Sequence, residues 1–391
     1  KKAVDLIENT NVKCAFVSTN SITQGEQVAV LWKMLFEKGV HIDFAWRTFK
    51  WENETTDKEL MAAVHCVIIG FSCNGKGKKR IFNADNTFED VENINGYLLN
   101  APNVWIEKRS KPLFNAEQMI NGNEPREGGF LILSEKEKQE LLRESPFAKK
   151  WIRRFVSAED FINNNIRYCL WFTPSDMKKA VCSKIIKQRL ENCRAFREKS
   201  EQVQAHQAAA TPYLFSAIRQ PKSEYLLVPV VSSENRAYVP IGYVKPKIIA
   251  SNACSMIPNA TLYTFGVLMS SVHNAWMRVV CGRLKSDYRY SISIVYNNFP
   301  WCNPTDKQKS KIEKTAQTIL DARKKYKDWS LAELYNEMIM PPDLRKAHRA
   351  NDRAVMEAYG FSAKMSEAEI VAELFKMYEN MLNAVLKGKH S

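Results

Sequence analysis

One short segment of this sequence carries charged side chains of both signs at a regular spacing. Lys285, Asp287 and Arg289 lie two residues apart, so in an extended chain all three point to the same face. Lysine can donate to guanine O6 and N7, and aspartate can accept from cytosine N4. The spacing predicts a strand or loop edge at which Lys285 and Asp287 read the two bases of one G·C pair. A salt-bridged surface strand is the alternative interpretation.

A serine-rich turn and several isolated basic residues are suited to hydrogen bonding with phosphate oxygens, which positions a protein on DNA without specifying bases. Residues 232–236 contain Ser232, Ser233 and Arg236 between two strand-like runs. Glu234 is expected to orient Arg236, and a turn stabilised only by that Glu–Arg pair is the alternative. The further phosphate candidates are Arg278, Arg283, Lys245 and Lys247.

The distribution of charge agrees with a polyanionic partner for the middle of the chain. The 391 residues carry a formal net charge of +14. Residues 1–104 hold 12 basic and 13 acidic residues, residues 105–300 hold 29 and 17, and residues 301–391 hold 16 and 13. A basic surplus confined to one region is expected of a protein that neutralises phosphates. A solvated basic surface without a partner is the alternative.

The pattern along residues 1–104 predicts an α/β unit. An apolar run at 12–22 is followed by helical spacing that ends near Gly39, and then by two strand-like runs at 42–51 and 62–71. A polar stretch suited to a hairpin loop separates those two runs. The order strand, helix, strand, strand is typical of the second half of a methyltransferase-type, Rossmann-like sheet whose last two strands are antiparallel.

The rest of the chain predicts two further domains. Residues 100–130 are rich in Asn, Pro and Gly, which indicates a linker region. Residues 105–300 mix short helices with strand runs, including one at 288–296, and predict an α+β domain. Residues 301–391 predict an all-α domain, with a break at Pro341 and Pro342.

Seven segments together resemble the MmeI-like group of single-chain restriction-modification methyltransferases. This group consists of gamma-class adenine-N6 enzymes with a target-recognition domain after the catalytic domain. The segments are 14–32 (CAFVSTNSITQGEQVAVLW), 47–51 (RTFKW), 67–71 (VIIGF), 232–236 (SSENR), 265–278, 282–298 and 340–360.

The resemblance implies double-stranded DNA as the partner and S-adenosylmethionine as the cofactor of an intact parent. The chain has neither the glycine-rich cofactor loop nor the Asn/Asp-Pro-Pro-aromatic loop that such an enzyme needs. We therefore expect most of the cofactor site to lie on upstream methyltransferase sequence, with a possible nuclease segment in the same polypeptide. The fragment alone is expected neither to methylate DNA nor to bind S-adenosylmethionine tightly.

The resemblance also assigns roles to individual residues. Phe49 matches an aromatic that stacks on an adenine flipped out of the duplex, which needs a new stacking face. Trp51 is the alternative for this role, and a core aromatic is the alternative for Phe49. Asn20 is expected to line the same cleft, together with Ser21. Arg289 and Ala253 match a second base-reading set.

Other chemistries find little support in the sequence. The nine cysteines form no C-x-x-C pair and the six histidines are widely spaced, so we expect no metal site, disulfide framework or nucleophilic triad. No apolar run approaches the roughly 20 residues of a membrane span, and a bacterial cytoplasmic location is expected. His273 is interpreted as a packed or capping residue, with a DNA contact as the alternative. The cluster Arg345, Lys346, His348 and Arg349 is either a phosphate contact or a solvated helix face.

Two other functions remain open. A stand-alone DNA-specificity module could serve a separate methyltransferase or nuclease subunit. A basic protein that binds RNA or nucleoprotein could have the same charge distribution. The methyltransferase-like pattern of residues 1–71 favours a methyltransferase fragment over the first, and preference for double-stranded DNA would exclude the second.

Overall fold

The computed structural model describes residues 1–52, 63–75, 77–83 and 85–387. Its first part contains two helices and five strands. In chain order these are α1 (Lys2–Ile7), β1 (Cys14–Thr19), α2 (Glu26–Glu37), β2 (His41–Glu52), β3 (Ala63–Ser72), β4 (Lys79–Phe82) and β5 (Phe88–Val91).

The strands of the first part form one mixed sheet in the order β1-β3-β2-β4-β5. β3 pairs antiparallel with both β1 and β2, which confirms the predicted antiparallel pairing of the runs at 42–51 and 62–71. The sequence pattern did not indicate β4 or β5; β4 pairs parallel with β2 and antiparallel with β5. β1 lies at the edge of this sheet, and its Phe16 and Val17 are more than half exposed.

Helix α2 forms because its apolar residues recur at helical spacing and bury one face. Val28, Trp32 and Leu35 are buried on that face, and the Trp32 Nε1 donates to the Ile22 carbonyl at 2.8 Å. The helix ends at Glu37, and Gly39 follows with a φ of +79°, as the sequence predicted. This packing fixes the segment between β1 and α2.

The middle part is α+β and contains three small sheets. Its helices are α3 (Glu135–Glu144), α4 (Ala158–Asn163), α5 (Met177–Ala180), α6 (Lys184–Glu198), α7 (Val203–Gln207), α8 (Leu262–Leu268) and α9 (Ser271–Val280). Its strands are β6 (Ile120–Asn121), β7 (Ile132–Leu133), β8 (Ile152–Val156), β9 (Arg167–Leu170), β10 (Tyr225–Pro229), β11 (Val231–Ser232), β12 (Gly242–Val244), β13 (Ile249–Ala250), β14 (Cys254–Pro258), β15 (Gly282–Leu284) and β16 (Asp287–Arg289). The sheet orders are β12-β10-β14-β6, β13-β8-β9-β7 and β11-β16-β15.

The predicted strand at 288–296 is wrong beyond its first two residues. β16 ends at Arg289, and Ile292–Tyr296 forms a π-helix whose start is capped by the Ser291 side chain. The Trp276 Nε1 donates to the Val295 carbonyl at 3.0 Å, and Ile294, Val295 and Tyr296 are all buried. A fully buried apolar run does not distinguish a strand from a helix by its pattern, which explains the error.

The segment expected to be a linker is held in place by two adjacent asparagines. The Asn297 Nδ2 donates to the Arg109 carbonyl at 2.7 Å, and the Asn298 Nδ2 donates to the Glu107 carbonyl at 2.9 Å. The Arg109 amide in turn donates to the Ser293 carbonyl at 3.0 Å. Residues 107–109 are therefore fixed against the π-helix.

The last part is helical, as predicted, and consists of α10 (Asp306–Lys324), α11 (Leu331–Leu334), α12 (Pro342–Tyr359) and α13 (Glu367–Lys387). Pro342 is the first residue of α12, a position at which its missing N–H costs nothing. A core that includes Trp276, Phe299 and Phe375 joins these helices to α9, while Ile42 and Ile81 extend the same core into the first sheet. A second core lies within residues 131–249.

Within the described residues, no helix has the length and apolar character needed to cross a membrane.

Candidate nucleic-acid interface

A cleft of about 930 Å³ lies where the first part, the fixed segment around Arg109 and the β15–β16 hairpin meet. We call it the central cleft. Among the residues that line it are Asn20, Ser21, Gln24, Gly25, Arg109, Asn252, Ser255, Gly282, Arg283, Lys285, Arg289 and Asn297. The structure thus brings Asn20 together with Lys285 and Arg289, although more than 260 residues separate them in the sequence.

The hairpin is held against the start of α2 by a close approach of two glycines. Gly25 has a φ of +60° and a ψ of −146°, and its amide donates to the Val280 carbonyl at 3.2 Å. A Cβ on Gly25 would lie 3.3 Å from the Gly282 Cα. Only glycine adopts this backbone conformation readily. The contact between Gly25 and Gly282 positions the β15–β16 hairpin relative to Asn20.

Replacing Gly25 with alanine should lower the free energy of unfolding by about 1–3 kcal/mol, because a side chain is strained at this φ and ψ and crowds Gly282. Gly39→Ala is the control, since Gly39 also has a positive φ but a Cβ there meets no atom within 4 Å. Urea unfolding of both variants measures the difference. Equal losses would show that the Gly25–Gly282 contact is not tight.

Five buried polar atoms belong to residues that line the central cleft and have no hydrogen-bond partner within the described part of the chain. They are the Asn20 Nδ2, Gln24 Oε1, Ser255 Oγ, Arg283 Nε and Asn297 Oδ1. An unpaired buried polar group costs about 1–3 kcal/mol, so such groups are informative about function. They include donors and acceptors that a polar ligand in the cleft can satisfy. Sequence reasoning missed Gln24, Ser255 and Asn297, because no local pattern marks them.

The hairpin differs from the single extended strand that its spacing predicted. Lys285 lies in the turn with a φ of +56° and is exposed, whereas Asp287 and Arg289 lie on β16. Lys285 and Arg289 line the central cleft. The Asp287 Oδ1 instead accepts a long hydrogen bond, 3.4 Å, from the Glu234 amide. The three side chains therefore do not alternate along one strand, and the turn separates Lys285 from Asp287.

Ala253 is connected to Arg289 through backbone hydrogen bonds. The Val230 amide donates to the Ala253 carbonyl at 3.0 Å, and the Tyr290 amide donates to the Val230 carbonyl at 2.7 Å. The exposed loop that holds Ala253 therefore lies one strand away from Arg289, and Asn252 lines the same cleft as Arg289. This geometry is compatible with the second base-reading set that the resemblance implies.

Arg283 and Glu234 form a brace at the base of the hairpin. The Arg283 Nη1 donates to the Glu234 Oε2 at 2.9 Å and to the Ser286 carbonyl at 2.6 Å. The Arg283 guanidinium also lies 4.2 Å above the Tyr288 ring. Glu234 therefore orients Arg283, and the prediction that it orients Arg236 is wrong. The His65 Nε2, on β3, lies 3.5 Å from the same Glu234 oxygen, which connects the first sheet to this turn.

A second cleft of about 830 Å³ separates the 232–236 turn from the helical part. Its lining includes Ser233, Glu234, Asn235, Arg236, Arg278, Tyr335, Asn336, Glu337, Met338 and Glu367. Ser232 is buried in β11, and its Oγ has no partner within the described residues. The Ser233 Oγ accepts from the Asn235 amide at 3.3 Å. Burial lowers the pKa of the partly buried Arg236 guanidinium.

Two groups of predicted phosphate contacts differ in their surroundings. Arg278 is held by Glu367 of α13 through two hydrogen bonds of 2.8 and 2.7 Å, and it also donates to the Ala237 carbonyl at 2.9 Å. It joins the middle and helical parts, so we do not propose it further as a phosphate contact. Lys245 and Lys247 are exposed in the loop between β12 and β13, outside the residues that line the central cleft.

Phe49 and Trp51 lie on β2, opposite Cys66 and Val64 of β3. Their ring centroids are 6.3 Å apart; Trp51 is 54% exposed and Phe49 is partly buried. The β2–β3 register shifts between Trp46 and Phe49, and such an irregularity re-aims the side chains that follow it. Neither ring lines the central cleft, so the structure does not bring them together with Asn20 there.

Two histidines are packed in the interior. His273 is buried, its Nε2 lies 2.9 Å from the Tyr290 hydroxyl, and burial lowers its pKa to about 3. The packed interpretation is confirmed, and a DNA contact by His273 is excluded. His348 is also buried, with its Nε2 2.8 Å from the Tyr335 hydroxyl. Its inclusion in an exposed phosphate-contacting cluster was therefore wrong.

The described part of the chain contains no group of three or more His, Cys, Asp or Glu side chains arranged to hold a metal ion.

Comparison with known proteins assigns every major part of the chain. Residues 1–83 match the family described as MmeI, DNA-methyltransferase domain; residues 100–303 match MmeI, target recognition domain; and residues 304–386 match MmeI, C-terminal domain.

Two relatives agree with this assignment. DNA methyltransferase A of Bacillus subtilis (strain 168) is 38% identical over 373 residues, which is 95% of this chain and 42% of that protein. A solved structure of the type IIL restriction-modification enzyme MmeI in complex with DNA superposes with a TM-score of 0.90 at 43% identity, over 98% of this chain and 51% of that one. The chain thus spans about half the length of the relatives it matches. It belongs to the MmeI family of restriction-modification DNA methyltransferases.

Proposed function

We propose that this chain recognises a specific double-stranded DNA sequence within an S-adenosylmethionine-dependent adenine-N6 DNA methyltransferase of a restriction-modification system. The observation that carries the proposal is the central cleft, which combines the cationic hairpin residues Lys285 and Arg289 with the unpaired polar atoms of Asn20 and Gln24. The similar MmeI structure was solved in complex with DNA, which supports the same class of ligand.

Each part of the chain has a place in this proposal. Residues 1–104 supply the later strands of a Rossmann-like methyltransferase sheet, with β1 exposing an edge on which further strands can pair. Residues 105–300 read the DNA, and residues 301–391 support the reading domain. A stand-alone specificity module would have no use for the partial sheet, which is why the methyltransferase fragment is favoured.

We propose that this chain supplies little of the binding site for S-adenosylmethionine. The loop between β1 and α2, residues 20–25, contains one glycine, Gly25, whose conformation is used to pack against Gly282. Such a loop offers no glycine-rich cradle. We therefore assign cofactor binding to other sequence of a longer polypeptide and expect this chain alone to be inactive in methyl transfer.

Proposed roles follow for the candidate residues, some of which lie outside the central cleft. Lys285, Asp287, Arg289 and Ala253 read base edges, while Ser232, Ser233, Arg236, Arg283, Lys245 and Lys247 bind or position the backbone. Arg283 acts by bracing the hairpin, because its guanidinium is already held by Glu234. Phe49, with Trp51 as the alternative, stacks on the extruded adenine, and Asn20 holds the loop between β1 and α2.

Duplex binding tests the proposal directly. We expect the 391-residue chain to prefer double-stranded DNA to single-stranded DNA, RNA and heparin at equal ionic strength, measured by fluorescence anisotropy. In a host that carries the complete gene, sequencing of modified bases should find N6-methyladenine within one short sequence. Equal affinity for all polyanions, or a genome without modified adenines, would contradict the proposal.

A further inference from the structure

Four of the six residues that line a groove on the helical part are cationic. It has a volume of about 450 Å³ and is lined by Met340, Pro342, Arg345, Lys346, Arg349 and Arg353. Arg345, Arg349 and Arg353 recur every four residues along α12 and so lie on one face of the helix. They span about 12 Å of helix axis, a length over which one DNA strand presents three or four phosphates. We call this surface the α12 groove.

The acidic side chains of α12 do not neutralise the groove. Asp343 pairs with Lys325 at 3.0 Å, and Glu357 pairs with Lys311. Asp352 faces the interior, where it accepts from the Tyr238 hydroxyl at 2.6 Å and from the Ser271 amide at 2.7 Å.

The four cations of the groove have no ion-pair partner in the part of the chain that the structure describes. Arg345 alone is fixed, because its Nη2 donates to the Glu337 carbonyl at 2.7 Å. Lys346, Arg349 and Arg353 are exposed. Like charges four residues apart destabilise a helix, so a row of unpaired cations is costly unless an anion binds it.

The α12 groove adjoins the openings already described. The Arg283–Glu234 brace joins the central cleft to the second cleft, since Arg283 lines the first and Glu234 lines the second. The Arg345–Glu337 hydrogen bond then joins the second cleft to the α12 groove. Arg236, whose side chain has no hydrogen bond to any described residue, lies in the second cleft between them.

We propose that the α12 groove binds the phosphate backbone of the recognised duplex outside the base-reading cleft. The proposal rests on the proposed function of DNA recognition and adds a second, sequence-independent contact surface to it. Arginine suits this role because its guanidinium donates to two phosphate oxygens at once. The groove should therefore contribute to affinity and to its salt dependence, and not to the choice of bases.

The test is a salt series of duplex binding with a fourfold variant of the 391-residue chain, Arg345→Gln, Lys346→Gln, Arg349→Gln and Arg353→Gln. Removing one phosphate-binding cation lowers the magnitude of the negative slope of log K against log salt by about 0.9. We expect the magnitude of the slope to fall by about 3.6, with an equal loss of affinity for target and non-target duplexes. Lys307→Gln, Lys314→Gln, Lys327→Gln and Lys364→Gln together form the control, which removes four exposed charges from the same helical part.

The outcomes separate this inference from the proposed function. If the slope is unchanged and the chain still prefers duplex DNA, the inference is wrong and the proposed function stands. The same conclusion follows if the groove binds an acidic protein surface. Equal effects of the groove and control variants also overturn it, because they indicate a diffuse charge effect. A wild-type chain without duplex preference refutes the proposed function itself. If the fourfold variant does not fold, Arg349→Gln alone should lower the magnitude of the slope by about 0.9.

Discussion

Exchanging Lys285 for Glu and Asp287 for Arg should move the methylated sequence at one base pair and leave the other positions unchanged. The variant must be made in a methylation-competent protein that carries this chain. Lysine and arginine donate to guanine, whereas aspartate and glutamate accept from cytosine, so the exchange reverses the pattern presented to a G·C pair. A good side-chain pairing contributes about 1–3 kcal/mol of discrimination, or roughly 5- to 150-fold in rate between the two sequences.

The control for this exchange is Lys324→Glu with Asp321→Arg. These residues form an exposed ion pair on α10 at 3.1 Å, and the double change preserves net charge in the same way. Sequencing of modified bases from hosts carrying each variant measures the outcome. If the hairpin variant methylated the original sequence at an undiminished rate, Lys285 and Asp287 would not read that base pair.

The structure also makes the single variants informative. Lys285 lies in the turn and lines the central cleft, while Asp287 lies on β16 and accepts from the Glu234 amide. Lys285→Ala should therefore relax discrimination directly. Asp287→Ala tests whether the carboxylate reads a base or only supports the 232–236 turn, because a supporting role would lower stability without changing the preferred sequence.

The local pattern of the sequence was sufficient to predict a helix or strand where one face of that element is buried. Val28, Trp32 and Leu35 marked the inner face of α2, and Gly39 marked its end. The same holds for β2 and β3, whose pairing follows from two apolar runs around a polar stretch. In these elements the hydrophobic periodicity and the tertiary packing favour the same structure.

The local pattern was insufficient to predict side-chain contacts between residues that are distant in the sequence. Glu234 pairs with Arg283, 49 residues away, and not with Arg236, two residues away. Arg278, a predicted phosphate contact, forms an ion pair with Glu367, 89 residues away, which joins the middle and helical parts. Neither partner can be identified from the spacing of charges along one segment, because a helix or strand pattern carries no information about which element packs against it.

The candidate site was predictable in part for the same reason. The family resemblance identified Asn20 and Arg289, and the spacing of charges identified Lys285; the fold brings all three to one cleft. Gln24 and Asn297 were missed, since their significance lies in one buried side-chain oxygen each that has no hydrogen-bond partner among the described residues. Burial and hydrogen bonding of single polar atoms depend on the complete packing and leave no periodic signal in the sequence.

Replacing Phe49 with alanine should slow methyl transfer by roughly 5- to 150-fold in a methylation-competent protein, with little change in duplex affinity. A base extruded from the duplex loses its stacking partners, and an aromatic side chain that replaces them contributes about 1–3 kcal/mol. Phe49 is partly buried and directly follows the register shift between β2 and β3. Single-turnover rates measure the effect on the methylation step.

Trp51→Ala and Phe49→Trp distinguish the two aromatics. Trp51 is more exposed, at 54%, and its ring centroid lies 6.3 Å from that of Phe49. If Phe49 stacks on the base, Phe49→Trp should retain most of the rate, and Trp51→Ala should cost less than Phe49→Ala. The fluorescence of 2-aminopurine at the target adenine provides a second measurement, because it rises when the base leaves the duplex and is quenched by a stacked aromatic. A larger loss in Trp51→Ala would transfer the stacking role to Trp51, and undiminished rates in both variants would show that neither ring holds the base.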